Sequence, residues 1–380
     1  MKIGFDVTSL IYQRGVSRYT ANLIRALGKV SGVELAYYGS SFGKKQLLSH
    51  LVDQTLPEPL VESIQALPVG VVNQLWRFGF NQIAHQLPGI EIFHGWEWQL
   101  PPDKNIPLIV TIHDLAMLHF PETAHPKALA AHQRVWRRLA ESGAHVIAVS
   151  RATRADVINL LQIPPYRVHL VHEALPTELT QRTAKLSEAD LLQTKAKLGL
   201  DQKPFLLFVG TREPRKNLAR LIAAWQMFAP YVDLVVVGEV GWENKPTAEY
   251  QHQPKYLGRV NDQVLSILYT EAAAFVYPSL FEGFGLPILE AFHHWCPVVT
   301  SNSSAMVEVA GNAAVLIDPE SVESIQAGIE LVLNESEAEQ AVRTQRMVIR
   351  LQLFDWQTTA EKTLLAYQTC IDHFYTDQHG

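Results

Sequence analysis

The stretch FEGFGLPILEAF, residues 281–292, carries two carboxylates, Glu282 and Glu290, with seven residues between them and a Gly283-Phe284-Gly285 turn after the first. It follows an apolar run, AFVYPS, with the composition of a buried strand. Pro287, just after Leu286, stands where a helix makes its first turn, a position at which a missing N–H costs nothing. A glycine-containing loop feeding a helix N-terminus leaves backbone N–H groups pointing outward, and these attract anions. The two acids repel phosphate but accept hydrogen bonds from hydroxyls. An anion pocket flanked by carboxylates suits a ligand with a diphosphate in the middle and polyols at both ends, which describes a nucleotide sugar. Taken singly, Glu282 reads as a turn residue and Glu290 as an exposed helix residue; with the glycines they read as a site.

A second group lies in FVGTREPRKNLARL, where Arg212, Arg215 and Lys216 crowd the entrance to a helix. The helix dipole disfavours cations there, so they make sense if an anion lies between them. Lys216 is the first candidate to neutralise a diphosphate and Arg215 the next, whereas Arg212 also fits a surface role. A third group is TIHDL, which places His113 and Asp114 directly after the strand-like LIVT. Asp114 would orient the imidazole or cap the following helix. Gly15, in QRGVSRYTANL, opens a helix after the first strand and lets a ligand approach the backbone closely. Asp-x-Asp does not occur. The expectation is therefore chemistry with no metal and no cofactor, in which Lys216, Arg215 and the helix N-terminus stabilise a departing diphosphate.

These groups need parallel strands to hold them. Short runs rich in Val, Ile, Leu and Phe recur in both halves: KIGFDV, VELAYYG, IEIFHG, LIVTIHD, HVIAVS and RVHLVH, then FLLFVG, LVVVGE, AFVYPS, PVVTSN and AVLIDP. Runs of this kind suit strands buried on both faces. Helical patterns such as SRYTANLIRALGKV and NLARLIAAWQMF lie between them. The alternation predicts an α/β chain of two doubly wound Rossmann-like domains, 1–175 and 176–355, facing each other across a cleft. The polar segment 172–203 separates them, and residues 356–380 form a last helix that packs back on the first domain. Between Val72 and Leu87, apolar residues at Val72, Leu75, Trp76, Phe80, Ile83 and Leu87 predict one core-facing helix with Phe78 off the stripe.

With 380 residues, a formal net charge of −6 and only two cysteines, Cys296 and Cys370, the chain fits a globular protein of a reducing cytoplasm. The charge argues against a nucleic-acid binder. Arg134, Arg137 and Arg138 fit a solvated helix face or contact with an anionic membrane. MKIGFDVTSL leads straight into a strand, and no stretch approaches the ~20 apolar residues of a membrane span.

The run PSLFEGFGLPILEAF…CPVVTSNSSAMVEVAGNAAVLIDP, with GTREPRKNLARLI, TIHDL and RGVSRYTANL, resembles glycosyltransferase family 4 over nearly the whole chain. The resemblance implies a retaining enzyme of the GT-B fold, close to bacterial mannosyltransferases of polysaccharide and lipopolysaccharide synthesis. It implies that Glu282 contacts donor-sugar hydroxyls and that Gly283, Phe284, Gly285 and Leu286 line the donor site. Glu290 would bind the ribose, Lys216 and Arg215 the diphosphate, and the base would lie near Arg259 and Val260. His113 would stand near the anomeric carbon, with Gly15 on the phosphate side. The donor would be GDP- or UDP-linked, with GDP-mannose first, and the acceptor a saccharide or lipid-linked hydroxyl. Some positions depart from the family pattern. Gln13 and Arg14 neighbour a single glycine where two are frequent, Trp295 replaces a turn glycine, and Thr211 stands where some members have arginine. VHEAL, residues 171–175, stands where Asn-Gly is frequent.

Other readings are weaker. A non-catalytic scaffold subunit of the same fold is the alternative, disfavoured by the presence of Glu282 and Lys216. A pyridoxal-dependent phosphorylase needs a cofactor lysine that is not evident. A dinucleotide oxidoreductase fails because FDVTSLIYQRG has one glycine and no Gly-x-Gly-x-x-Gly. Trp96 and Trp98, in HGWEWQLPP, fit sugar stacking and packing equally.

Overall fold

The computed structural model describes residues 1–12, 15–183, 187–241 and 250–379; Gln13 and Arg14 lie outside the described residues. The chain divides into two compact units. One comprises Met1–Leu115, His125–Pro176 and Asp355–Gly380, the other Ala116–Ala124 and Thr177–Phe354.

The first unit is built on seven strands: β1 (Lys2–Asp6), β2 (Glu34–Ser40), β3 (Val61–Gln65), β4 (Ile92–Trp96), β5 (Leu108–Ile112), β6 (His145–Ala148) and β7 (Val168–Leu170). They pair in parallel in the order β3-β2-β1-β4-β5-β6-β7. From β1 the chain builds outward through β2 and β3, then crosses to β4 on the other side, so the direction of winding reverses between β1 and β4. Every residue of β4 and β5 is buried, as a strand covered on both faces requires. The terminal helix Trp356–His379 belongs to this unit. Its Trp356 Nε1 donates to Leu175 O at 2.8 Å, and Tyr367 Oη lies 2.6 Å from His94 Nδ1. The other ring nitrogen of His94 meets Thr111 Oγ1 at 2.7 Å, so a fully buried imidazole has both nitrogens satisfied.

The second unit repeats the scheme with β8 (Phe205–Val209), β9 (Asp233–Val237), β10 (Lys255–Gly258), β11 (Ala274–Tyr277), β12 (Val298–Ser301) and β13 (Val315–Ile317). These are also parallel, in the order β10-β9-β8-β11-β12-β13, and the winding reverses between β8 and β11. Its core joins Leu206 and Phe208 of β8 to Leu218, Leu221 and Trp225 of the helix Leu218–Trp225.

Three features differ from the sequence reading. β3 (VESIQ) and β10 (KYLG) fall outside the anticipated apolar runs. Both are edge strands, covered on fewer sides, and they tolerate polar residues that a central strand cannot. Residues 116–124 join the second unit and not the first, because the His119 ring packs on Phe281 with centroids 4.5 Å apart. The stripe from Val72 to Leu87 does not form one helix. It breaks into Val69–Arg77 and Ile83–Gln86, with Gly79 and Asn81 at positive φ between them. Asn81 O accepts from Trp76 Nε1 at 2.8 Å, and the Asn81 side chain pairs with Gln65 at 3.0 Å. Val72, Trp76, Ile83 and Leu87 remain buried, but Phe80 is 65% exposed beside Phe78 at 72%.

Replacing Tyr367 by Phe removes the partner of a buried imidazole, whose loss costs about 1–3 kcal/mol. The urea midpoint for unfolding of the first unit is therefore expected to fall without a change in slope. An unchanged midpoint would remove the terminal helix from the packing of His94.

Candidate functional site

The strongest constellation lies in the second unit, where the loops after β8 and β11 leave the sheet on either side of its winding reversal. Open parallel sheets bind ligands at this place. After β8 the chain makes a short turn, Pro214–Lys216, and Asn217 takes a left-handed conformation at φ 60°. The buried Asn217 amide donates to Pro278 O at 3.0 Å and Pro319 O at 2.7 Å, and Leu280 N donates to Arg215 O at 2.8 Å. These bonds fasten the two loops together. As a result Lys216 Nζ lies 2.7 Å from Glu282 Oε1 and 2.8 Å from Tyr277 Oη. Arg215 Nη1 donates to Glu282 Oε2 at 3.0 Å and to Phe281 O at 2.6 Å, while Nη2 meets Glu213 Oε1 at 2.6 Å.

Glu282 is buried, at 7% exposure. Burial alone would favour its neutral form, but the charges of Lys216 and Arg215 outweigh that and hold its pKa at about 2. The Tyr277 hydroxyl is pushed well above its ordinary value by burial and by the Glu282 charge. Two cations face two carboxylates, Glu213 and Glu282, so these four groups are balanced before any ligand arrives.

The loop beyond Glu282 turns at Gly285, whose φ of 101° suits glycine and leads into the helix Leu286–His293 with Pro287 in its first turn. Gly283 and Phe284 are buried, and the Phe284 ring meets Phe354 edge-on at 5.5 Å. Glu290 also is buried, against the exposed reading of a lone helix acid, and accepts from Tyr269 Oη at 3.0 Å. Arg259 and Val260 follow β10 at the sheet edge, with Arg259 exposed and 3.7 Å from Glu239. Arg212 lies over the Tyr256 ring at 4.8 Å.

In the first unit His113 follows β5, next to Trp96 and Glu97 at the end of β4. Its Nδ1 lies 2.7 Å from Glu173 Oε1. Glu173, which sequence reasoning passed over, makes this hydrogen bond to the imidazole; the sequence reading gives Asp114 as orienting the ring or capping the next helix. Trp96 stacks on the imidazole at 6.2 Å, and Tyr19 meets it edge-on at 4.9 Å. Burial alone would depress the His113 pKa, but the hydrogen bond and charge of Glu173, with Glu97 and Asp114, raise it to about 9. Burial lifts Glu97 to about 7 against the pull of His113. Among the described residues, His113 Nε2 and Glu97 Oε2 are buried without a hydrogen-bond partner. Gly15 begins the helix Gly15–Leu27, and a Cβ there would meet nothing within 4 Å, so internal packing does not demand the glycine. Trp96 is a packing residue, fully buried with Nε1 donating to Asp6 O at 2.8 Å.

The residues missed in the sequence are Glu97, Glu173, Glu213, Asn217, Tyr269 and Tyr277. Asn217 carried a signal, since an asparagine after a Pro-Arg-Lys turn suits a left-handed position. The others became partners only through folding.

The sequence model described as Glycosyltransferase Family 4 matches residues 13–179, and that described as Glycosyl transferases group 1 matches residues 192–346. The chain is 32% identical over 398 residues to O-antigen chain mannosyltransferase B of Escherichia coli, covering 97% of this chain and 100% of that protein. A glycosyltransferase structure from Rickettsia africae superposes with a TM-score of 0.71 at 14% identity, covering 97% of this chain and 98% of the other. HepE of Anabaena, solved with UDP and glucose, gives 0.69 at 17% identity, with 97% and 100% covered. The chain shares the GT-B fold of these structures.

The two clusters predict opposite pH dependences of stability. Glu282 is depressed from 4.5, so its contribution is present above that value and lost as pH falls toward 2. His113 is raised from 6.5, so its contribution is present below 6.5 and lost as pH rises through about 9. Each shift corresponds to at most about 3 kcal/mol. Denaturant titrations across pH should show Glu282→Gln losing the acid-side dependence and His113→Gln the alkaline one. Variants that parallel the wild type at every pH would refute the assignment.

Proposed function

The chain belongs to glycosyltransferase family 4, and we propose that it moves mannose from GDP-mannose, with retention, onto a hydroxyl of a saccharide or lipid-linked acceptor. The pathway proposed is polysaccharide or lipopolysaccharide synthesis. The observation that carries the reading is the buried Lys216–Glu282–Arg215 network at the β8/β11 winding reversal, beside the Gly283–Gly285 loop at a helix N-terminus. The name of the Escherichia coli relative supports mannose as the sugar.

In this reading the amides of Gly283, Phe284 and Gly285 and the helix dipole receive the diphosphate, while Lys216 and Arg215 turn part of their charge toward it. That partial release leaves Glu282 able to accept hydrogen bonds from sugar hydroxyls, and Leu286 lines the same pocket. Glu290 takes the ribose, and Arg259 with Val260 flank the base. The first unit carries the acceptor; there His113 hydrogen-bonds a substrate oxygen and Gly15 opens its backbone to a ligand. The anomeric carbon–phosphate oxygen bond breaks as the acceptor oxygen bonds to the same face, and the acceptor proton passes to the departing phosphate. No metal or organic cofactor is required.

Peripheral contact with the inner face of a membrane is part of the proposal. Phe42, Phe78 and Phe80 are 73%, 72% and 65% exposed, in SFGKK and RFGFNQ, which carry three cations and no acid. Both loops are tied to Gln65, through Ser41 N and through Asn81. Aromatic side chains with neighbouring cations suit an anionic interface. The Arg134–Arg138 cluster suits it less, because Arg138 donates to Leu100 O at 3.2 Å. Among the described residues no helix is long and apolar enough to cross a membrane.

Calorimetric titration in EDTA is expected to show GDP binding more tightly than UDP. Glu290→Ala should weaken that binding on the order of tenfold, and Glu282→Ala should reduce mannosyl transfer on the order of 100-fold with a smaller effect on binding. Binding of neither nucleotide, or full activity in both variants, would sink the reading. Flotation with phosphatidylglycerol-containing vesicles tests the membrane contact; the Phe78→Ser, Phe80→Ser double variant should remain at the bottom, and equal flotation would refute that surface.

A further inference from the structure

We propose that Glu173 is a positioning residue that holds His113 as an imidazolium, so that its Nε2–H is offered as a charged hydrogen-bond donor to a substrate oxygen, phosphate or hydroxyl. The inference rests on the reading of His113 as part of the transfer machinery and specifies which proton state it works in.

Glu173 is 5% exposed and lies 2.7 Å from His113 Nδ1. A buried carboxylate without a counter-charge is strongly disfavoured, and the imidazole is the partner the fold supplies. Among the described residues, the titratable groups acting on the ring come from several elements. Glu97 follows β4, Asp114 follows His113 itself, and Glu173 follows β7. Tyr19, on the helix Gly15–Leu27, is held neutral by burial, and burial also keeps His94 of β4 neutral, with a pKa of about 3. Three carboxyl groups thus act on the ring. The parallel Trp96 face adds a surface that favours a protonated ring.

The two ring nitrogens then have separate duties. Nδ1–H is committed to Glu173. Nε2 is buried and has no partner among the described residues, so its hydrogen is available to a ligand. In this state His113 donates and does not accept a proton, which leaves deprotonation of the acceptor to another group. The identity of residue 173 decides this. A neutral amide at this position would orient the ring without charging it.

Nuclear magnetic resonance of the full chain labelled with ¹⁵N-histidine tests the proposal, the His113 signals being identified by their absence in His113→Gln. The wild-type ring should titrate near pH 9. In Glu173→Gln the titration should drop by at least about two pH units, whereas Glu173→Asp should keep it within about one. GDP-mannose turnover should follow the same curve. Relative to its own rate at pH 6, Glu173→Gln should be about tenfold slower at pH 8, and Glu173→Asp should resemble the wild type. A purely structural role would lower the rate by one factor at every pH. A wild-type His113 titrating at or below 6.5, an unmoved titration in Glu173→Gln, or a pH-independent loss would overturn the proposal. Absence of GDP-mannose turnover in the wild type would instead overturn the functional reading, while the titration still decides this one.

Discussion

Parallel pairing constrains this chain more than any other single feature. A parallel strand can be reached only by a crossover, so all strands of a sheet end at one edge and all crossovers start there. Where the winding reverses, two loops leave the edge in opposite directions and a crevice opens between them. In the second unit this brings Arg215 and Glu282, 67 positions apart, into one ion pair. In the first unit the strand order β5-β6-β7, to one side of the reversal, sets the ends of β5 and β7 close enough to bring His113 and Glu173, 60 positions apart, to 2.7 Å. Both chemical clusters are consequences of where the strands stop.

The two units meet the same electrostatic problem in different ways. Each buries carboxylates at a sheet edge, and an unpaired buried charge costs several kcal/mol. The second unit balances Glu213 and Glu282 with Arg215 and Lys216, four groups that sum to no charge. The first places Glu97, Asp114 and Glu173 around a single titratable ring. One cluster has its charge fixed across the physiological range; the other depends on a proton.

Trp295 and Asn217 both hold left-handed backbone, with different consequences. Trp295 sits at φ 58°, a left-handed position, and an L-residue pays roughly 1–2 kcal/mol there. It follows directly on the helix that carries Glu290, so the strain falls on the turn that ends that helix. Asn217 occupies a similar conformation but spends its side chain on two buried carbonyl bonds that close the site loops.

Much was legible in the sequence because it depends on local physics. Continuous apolar runs announce buried parallel strands, and Glu282, Gly285, Pro287, Lys216 and His113 stand in local contexts that chemistry restricts. The edge strands β3 and β10 were illegible because an edge tolerates polar residues, and Phe80 kept helical spacing although Gly79 and Asn81 end the helix before it. Glu173, Tyr269 and Tyr277 carry no local mark at all. Their roles arise from pairings across long stretches of chain, and such pairings exist only once crossovers have set the strands side by side. The sequence by itself determined which groups stand at strand ends. Tertiary structure decided which of them share a site, and hence which carboxylate sets the charge on His113.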